Sequence, residues 1–384
     1  MMTERPQNTR REFLTGLSAR DALASLVDAH SPAVGDETDT ARAASAPPGG
    51  DEYLLKFSRR AMACQFEFIL PAAGPEAGPE AAVAALDLVD DLEAQLTAYR
   101  DSSELMEINR RAVHEAVPVE ERLFELLQFA VELSARTGGA YDITSGPLSR
   151  IWGFQRRQGR VPDAEEIVAA LARVGSRHVE LNREDRSVRF RASGVELNLG
   201  SIGKGYALDR CAELLRAAGV NRALLHGGQS SVVALNPWPE ADGAAVEPAQ
   251  PSLHWTVGVG DPLRPGKRLA LARLWNRALG TSGSSVQFFR HAGRRYAHIL
   301  DPRTGWPAEG LLSATVFAPT AAAADALSTA CYVLGLDGAL KLCEELGVAA
   351  ALVESPQGHR RPKIHTFGLG SAEFQLVDDA AGTS

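Results

Sequence analysis

The chain has 384 residues, 45% hydrophobic, 23% charged and only 6% aromatic, with 40 Lys+Arg against 48 Asp+Glu and a formal net charge of −8. This composition is too apolar for wholesale disorder, and the length suits either two domains of roughly 150 residues or one larger unit. The acidic balance argues against a nucleic-acid binder or a protein held on an anionic membrane, since both draw affinity from clustered Lys and Arg.

At the N-terminus, Thr9-Arg10-Arg11-Glu12-Phe13-Leu14 has the form of a twin-arginine export motif. An export signal continues into about 7–15 apolar residues, but Ser18, Arg20 and Asp21 interrupt that stretch. The motif reads as degenerate and favours a cytoplasmic protein, with twin-arginine export as the alternative. No cysteine precedes Cys64, which argues against a lipoprotein anchor. Residues 29–52, rich in Ala, Pro, Gly, Ser and Asp, predict a disordered linker, making 1–52 an N-terminal segment before a fold that begins near Tyr53.

A strand is predicted over 53–70, ending at Pro71, and a loop over 74–79. Leu86, Val89, Leu92 and Leu96 then repeat with helical period. A helix over 120–136 stops at Gly138-Gly139, and a shorter one covers 163–174. Strands at 178–181 and 187–191 lead to a β-α-β unit: strand 195–199, helix 206–218, strand 222–225. Residues 237–251 read as a low-complexity insertion loop. The chain is then strand-rich until Thr320, which caps a helix over 321–334, followed by a second over 337–346. Beyond 359 only 364–370 is patterned, leaving 53–370 as the folded domain and 371–384 as a tail. The irregular mixture predicts an α+β fold, mostly antiparallel sheets flanked by helices. Cys64, Cys211, Cys331 and Cys343 form no C-x-x-C pair, so a zinc ribbon or thioredoxin-type site is not expected, and Cys211 and Cys331 fall in apolar helical patterns as small core residues. No apolar run approaches the ~18 residues of a membrane-spanning helix.

Four segments carry residues suited to chemistry. In Asn198-Leu199-Gly200-Ser201-Ile202-Gly203-Lys204-Gly205-Tyr206, glycines permit close approach to an anion, the helix start offers unpaired N–H groups, and Lys204 supplies a point charge. The spacing is not that of a Walker A loop, and the turn serves equally as connection geometry. Asp325, Ser328 and Thr329 share one helical face, which suits either a hard cation such as Mg²⁺ or a solvated Asp with back-bonded hydroxyls. In Arg295-Tyr296-Ala297-His298-Ile299-Leu300-Asp301-Pro302, His298 is a proton carrier or a structural strand residue, and Asp301 reads as a turn residue. Gly139-Ala140-Tyr141-Asp142-Ile143-Thr144-Ser145-Gly146-Pro147, with Trp152-Gly153-Phe154, either holds a flat heterocycle or provides packing and turn chemistry. Arg290, His291, Arg294 and Arg295 around Gly293 read as a solvated hairpin tip.

Together with Met62-Ala63-Cys64, Tyr99-Arg100-Asp101-Ser102-Ser103-Glu104, Asn109 and Leu334-Gly335, these segments resemble, in order and over roughly 55–355, the FAD:protein FMN transferase (ApbE) family. The resemblance implies an α+β fold with a two-part flavin-nucleotide cleft, and Mg²⁺-dependent transfer of FMN from FAD to a Thr or Ser hydroxyl of an acceptor protein, releasing AMP. FAD hydrolysis and non-catalytic flavin binding are the alternatives. By position, Met62, Tyr99, Ala140, Tyr141, Asp142, Asn198, Lys204 and Ile299 would line FAD. Ser201 (through its carbonyl), Asp325, Ser328 and Thr329 would hold the metal, with Lys204, Asp325 and the candidate base His298 catalytic. Three departures stand out: Asn198 where the family has Asp, Gln229 after Gly227-Gly228 where it has Asp, and Ser284-Ser285 where an aromatic is common.

Overall fold

The computed structural model describes residues 53–154, 158–237, 254–284, 287–355 and 362–377, with the backbone of Thr15–Ser18. The twin-arginine-like motif, the linker expected over 29–52 and all but Pro237 of the expected insertion loop lie outside the described residues.

A nine-stranded sheet organises the fold. Its spatial order is β1 (Thr15–Ser18), β2 (Tyr53–Ala61), β3 (Cys64–Pro71), β7 (Ala223–Gly227), β8 (Ser231–Leu235), β11 (Ala278–Gly283), β14 (Leu311–Ala318), β15 (Ala349–Glu354) and β16 (Ile364–Phe367). Every neighbouring pair in it is antiparallel. Such strands point successive side chains to opposite faces, and both faces are apolar. Phe66, Phe68, Leu225, Val233, Val316 and Leu352 enter the core on the helical side. Their neighbours Ile69, Leu224, Val232, Phe317 and Ala351 enter a second core, against Trp255, Val257, Ala272 and Phe374 of a three-stranded sheet. That sheet comprises β9 (Trp255–Gly260), β10 (Arg268–Leu274) and β17 (Phe374–Leu376). Residues 374–376, expected in the tail, therefore belong to the packed fold: Phe374 meets the Phe317 ring edge-on at 6.2 Å.

The helical layer holds α1 (Gly78–Leu96), α2 (Glu104–Arg111), α3 (Glu121–Arg136), α6 (Gly203–Ala217) and α7 (Ala321–Leu346). Beside them lie a small sheet of β4 (Val117–Pro118), β5 (Val179–Asn182) and β6 (Ser187–Phe190), and an aromatic lobe. The lobe packs α4 (Gly146–Ile151) and α5 (Ala164–Leu171) with the hairpin of β12 (Phe288–His291) and β13 (Arg294–Ala297), around Trp152. By length and mean hydropathy α7 could cross a membrane; here it packs on β11, β14 and α6 as a core helix.

Several expectations are corrected. The strand over 53–70 is a hairpin, turned at Met62 and Ala63 with φ of 48° and 60°. The strand expected over 195–199 is extended but unladdered. Asn109 takes both backbone groups of Leu197, accepting its N–H at 2.7 Å and donating to its carbonyl at 3.0 Å. Asn198 donates instead to the Ile143 carbonyl at 2.7 Å. Alternating burial of Val195, Leu197 and Leu199 mimics a strand, but the hydrogen-bond partners come from loops and a side chain. The β-α-β unit is thus absent, and the following helix starts at Gly203, earlier than expected. The two helices expected over 321–334 and 337–346 are both present, as the halves of α7 on either side of a break at Gly335 (φ 73°, ψ −174°).

Candidate active site

A cleft of about 900 Å³ opens beside the N-terminal ends of α6 and α7, within the range of nucleotide-sized pockets. It is lined by Met62, Tyr99, Ala140, Tyr141, Asp142, Asn198, Ser201, Lys204, His298, Ile299, Asp325 and Thr329, so every expected site residue except Ser328 borders it. Ser328 is buried, 1% exposed, with its hydroxyl donated to the Asp325 carbonyl at 2.9 Å.

Two crossing helices build the charged end. Asp325, on α7, accepts the first-turn N–H of Gly205 of α6 at 2.8 Å through Oδ2 and the Ser231 hydroxyl at 2.6 Å through Oδ1. Reciprocally, Asp209 of α6 accepts the N–H groups of Ala321 and Ala322 at 2.7 and 2.8 Å, capping α7. Each helix start thus satisfies its orphan donors with the other's carboxylate. Contact is close because Gly205 and Gly280 present no Cβ to α7: one added there would lie 2.1 Å from the Ala321 carbonyl oxygen or 2.4 Å from the Ala324 carbonyl. Burial pushes the Asp325 carboxyl above its usual range, while Lys204, Ser231 and Gly205 oppose the shift. Burial likewise takes the thiol of Cys64, next in sequence to the cleft-lining Ala63, to about 11.

Lys204, half-buried on α6, has no carboxylate at ion-pairing distance among the described residues, yet its field reaches Asp325, His298 and Cys64. A lysine so placed is available to an anion. His298 follows β13 directly; its Nδ1 lies 3.1 Å from the Gln287 carbonyl across the hairpin base. Burial holds its pKa below the ordinary histidine value, with the Lys204 charge acting in the same direction. The imidazole is therefore neutral at pH 7 and able to accept a proton.

The expected metal set is oxygen-only. Thr329 donates to the Asp325 carbonyl at 3.2 Å, and the Ser282 hydroxyl lies 3.0 Å from Thr329 Oγ1 and 2.9 Å from Ser328 Oγ. One carboxylate among hydroxyl oxygens fits a hard cation such as Mg²⁺. Among the described residues no group of three His, Cys, Asp or Glu forms a softer site. Ser282 and Ser231 have no local sequence signal, because their partners lie 46 to 94 residues away.

The segment around Ala140 lines the cleft and is also held by packing and turn hydrogen bonds. Tyr141 is 1% exposed, and the Asp142 carboxylate accepts four hydrogen bonds, from Ser134, Ser176 and, twice, Thr144. Asp301 is a turn residue paired with Arg303, and Arg290 to Arg295 form an exposed hairpin tip. Of the three departures, Asn198 holds its own loop by accepting the Gly200 N–H at 2.9 Å. Gln229 lines the cleft with φ 60°. Ser284 ends a described stretch, and Ser285 lies outside the described residues.

A family model described as the ApbE family matches residues 62–352. The chain belongs to the ApbE family. Similar relatives include proteins named FAD:protein FMN transferase from Treponema pallidum (strain Nichols), 34% identical over 69% of this chain and 75% of the relative, and from Klebsiella pneumoniae (strain 342), 32% identical over 75% and 81%. ApbE is thus a family of transferase enzymes by the names its members carry. Two solved structures share the fold: the ApbE protein from Thermotoga maritima (TM-score 0.72, 28% identity, 82% of this chain and 97% of that one) and the apo flavinyl transferase ApbE from Pseudomonas stutzeri (0.70, 28%, 83% and 95%).

Proposed function

We propose that this ApbE-family chain is an FAD:protein FMN transferase that uses Mg²⁺ to move FMN from FAD onto a Thr or Ser hydroxyl of an acceptor protein, releasing AMP. The observation that carries this reading is the convergence in one cleft of a lysine with no carboxylate at ion-pairing distance among the described residues, an oxygen-only donor set and a histidine whose pKa burial lowers. In the reaction the acceptor oxygen attacks the FMN-side phosphorus in line, and the phosphoanhydride bond to AMP breaks. Lys204 neutralises charge on the pyrophosphate, His298 takes the hydroxyl proton, and the loop from Asn198 to Ser201 holds the nucleotide against the start of α6. Asp325 and Thr329, with the Ser201 carbonyl, would hold Mg²⁺, which when bound screens the phosphate oxygens and steadies the leaving AMP. Ser328 supports this set from behind the cleft surface rather than lining it.

The test incubates the protein with FAD and Mg²⁺, with and without a flavin-acceptor domain, and resolves FAD, FMN, AMP and flavinylated protein. Transfer predicts AMP and covalent flavin only when acceptor is present, with Lys204→Gln or Asp325→Asn lowering the rate on the order of 10²–10³-fold. AMP and free FMN formed equally without acceptor would make the protein an FAD hydrolase. Intact FAD in both reactions would overturn the enzymatic reading.

A further inference from the structure

The helix carrying Asp325, Ser328 and Thr329 also holds two thiols with no part in the chemistry above. Cys331 and Cys343 are both 0% exposed, both reduced, and 3.8 Å apart between sulfurs. Twelve residues of straight α-helix would separate them by about 18 Å. They meet only because α7 breaks at Gly335 and folds its last turns back on the first half. Gly335 has open space where a Cβ would stand and a φ of 73°, so this fold-back depends on glycine. The far end is anchored, since the Cys343 carbonyl accepts the Val348 N–H at 3.1 Å, just before β15 begins.

We propose that Cys331 and Cys343 form a reversible disulfide that staples the two halves of the site helix across the Gly335 kink, with hydrogen peroxide as the oxidant. Full burial selects a small oxidant over a bulky disulfide. The Cys343 thiolate attacks one peroxide oxygen, the O–O bond breaks, and a sulfenic acid and one water result. The Cys331 sulfur then attacks that sulfenic sulfur, the S–S bond forms, and a second water leaves. Two thiols lose two electrons and two protons; the peroxide gains them. The Cys331 thiol, hydrogen-bonded to its neighbour, draws Cys343 below the ordinary thiol value against the effect of burial. Bond formation brings the sulfurs from 3.8 Å to about 2 Å. That short travel is absorbed by side-chain torsions and the kink.

The folded protein is treated with hydrogen peroxide and analysed by intact mass, non-reducing peptide mapping and thermal melting. The expected result is a loss of about 2 Da, a cross-linked pair of peptides containing Cys331 and Cys343, and a midpoint raised by about 5 °C, as for a short loop closed in a large domain. Dithiothreitol reverses all three, and Cys331→Ser and Cys343→Ser each abolish the cross-link and the rise. A gain of one or two oxygens without cross-linking, or thiols that couple only after unfolding, would overturn the proposal. None of these readouts depends on flavin transfer.

Discussion

The close crossing of α6 and α7 makes a quantitative demand on one residue. A Cβ added at Gly205 would lie 2.1 Å from the Ala321 carbonyl oxygen, 2.4 Å from its carbon and 2.7 Å from the Ala322 nitrogen. All three are backbone atoms, so no rotamer change relieves the clash, and the helices must part by about 1 Å to regain ordinary contact. Overpacking of this kind costs about 1–3 kcal/mol, and a backbone neighbour places it at about 3. The same displacement stretches the 2.8 Å bond from the Gly205 N–H to Asp325 beyond hydrogen-bonding range. Gly205→Ala should therefore lower the melting midpoint by about 6 °C. It should also cut FAD turnover about 100-fold, since a shift of that size misplaces a reacting group. Gly203 is the internal control, two residues earlier in the same helix, where an added Cβ meets only Leu199 Cβ at 4.0 Å. Gly203→Ala should melt at the parental temperature or slightly above, through reduced freedom of the unfolded chain. Differential scanning fluorimetry reads the stability of both variants, and chromatography of AMP reads turnover for Gly205→Ala. If Gly205→Ala melts within about 1 °C of the parent, the close crossing does not set the position of Asp325.

Two further predictions concern pH. Because burial holds His298 below the ordinary histidine value, its neutral form dominates at pH 7; transfer should fall as pH drops through that lowered pKa, and His298→Gln should lose the acid limb along with about 10²–10⁴ in rate. An unchanged limb in the variant, followed by AMP release across pH 5–8, would remove His298 from the role of base. Asp209 is pushed up to about 7 by burial, against the pull of the Ala322 and Ala321 N–H groups. The folded state then keeps a proton that the unfolded chain sheds near pH 4, so this contribution is complete below about pH 4 and is lost as pH rises towards 7. Melting curves from pH 4 to 8 should show a shallower decline for Asp209→Asn, on a baseline lowered by about 1 kcal/mol for the weakened cap; equal slopes would show that Asp209 does not carry the titration.

Much of the chemistry was legible as residue type and local spacing. The lysine at a Gly-rich helix start, the Asp325–Ser328–Thr329 face and the histidine after a strand are short-range patterns, and the structure brings them to one cleft. Local signals also placed helix starts, as with Thr320 accepting the Ala323 N–H and the Asp163–Glu166 capping box. The errors fall where a local pattern has a non-local partner. Residues 195–199 alternate like a strand but bond to Asn109 and Ile143 instead of a ladder. Phe374 reads as tail until β10 and Phe317 are seen beneath it.

By itself the sequence determined which groups were available: a hard-oxygen face, a cationic helix start, a titratable imidazole, and glycines that let the backbone approach an anion. These follow from side-chain chemistry and from helical and strand periods that span only a few residues. Tertiary structure alone decided that Asp325 would be gripped by Ser231 and Gly205 and Asp209 committed to the start of α7. It also set Ser328 behind the cleft surface and brought Cys331 against Cys343. The physical reason is range. Burial and hydrogen bonding between groups about 90 to 120 residues apart depend on how helices and sheet pack, and no local period in the chain encodes that packing.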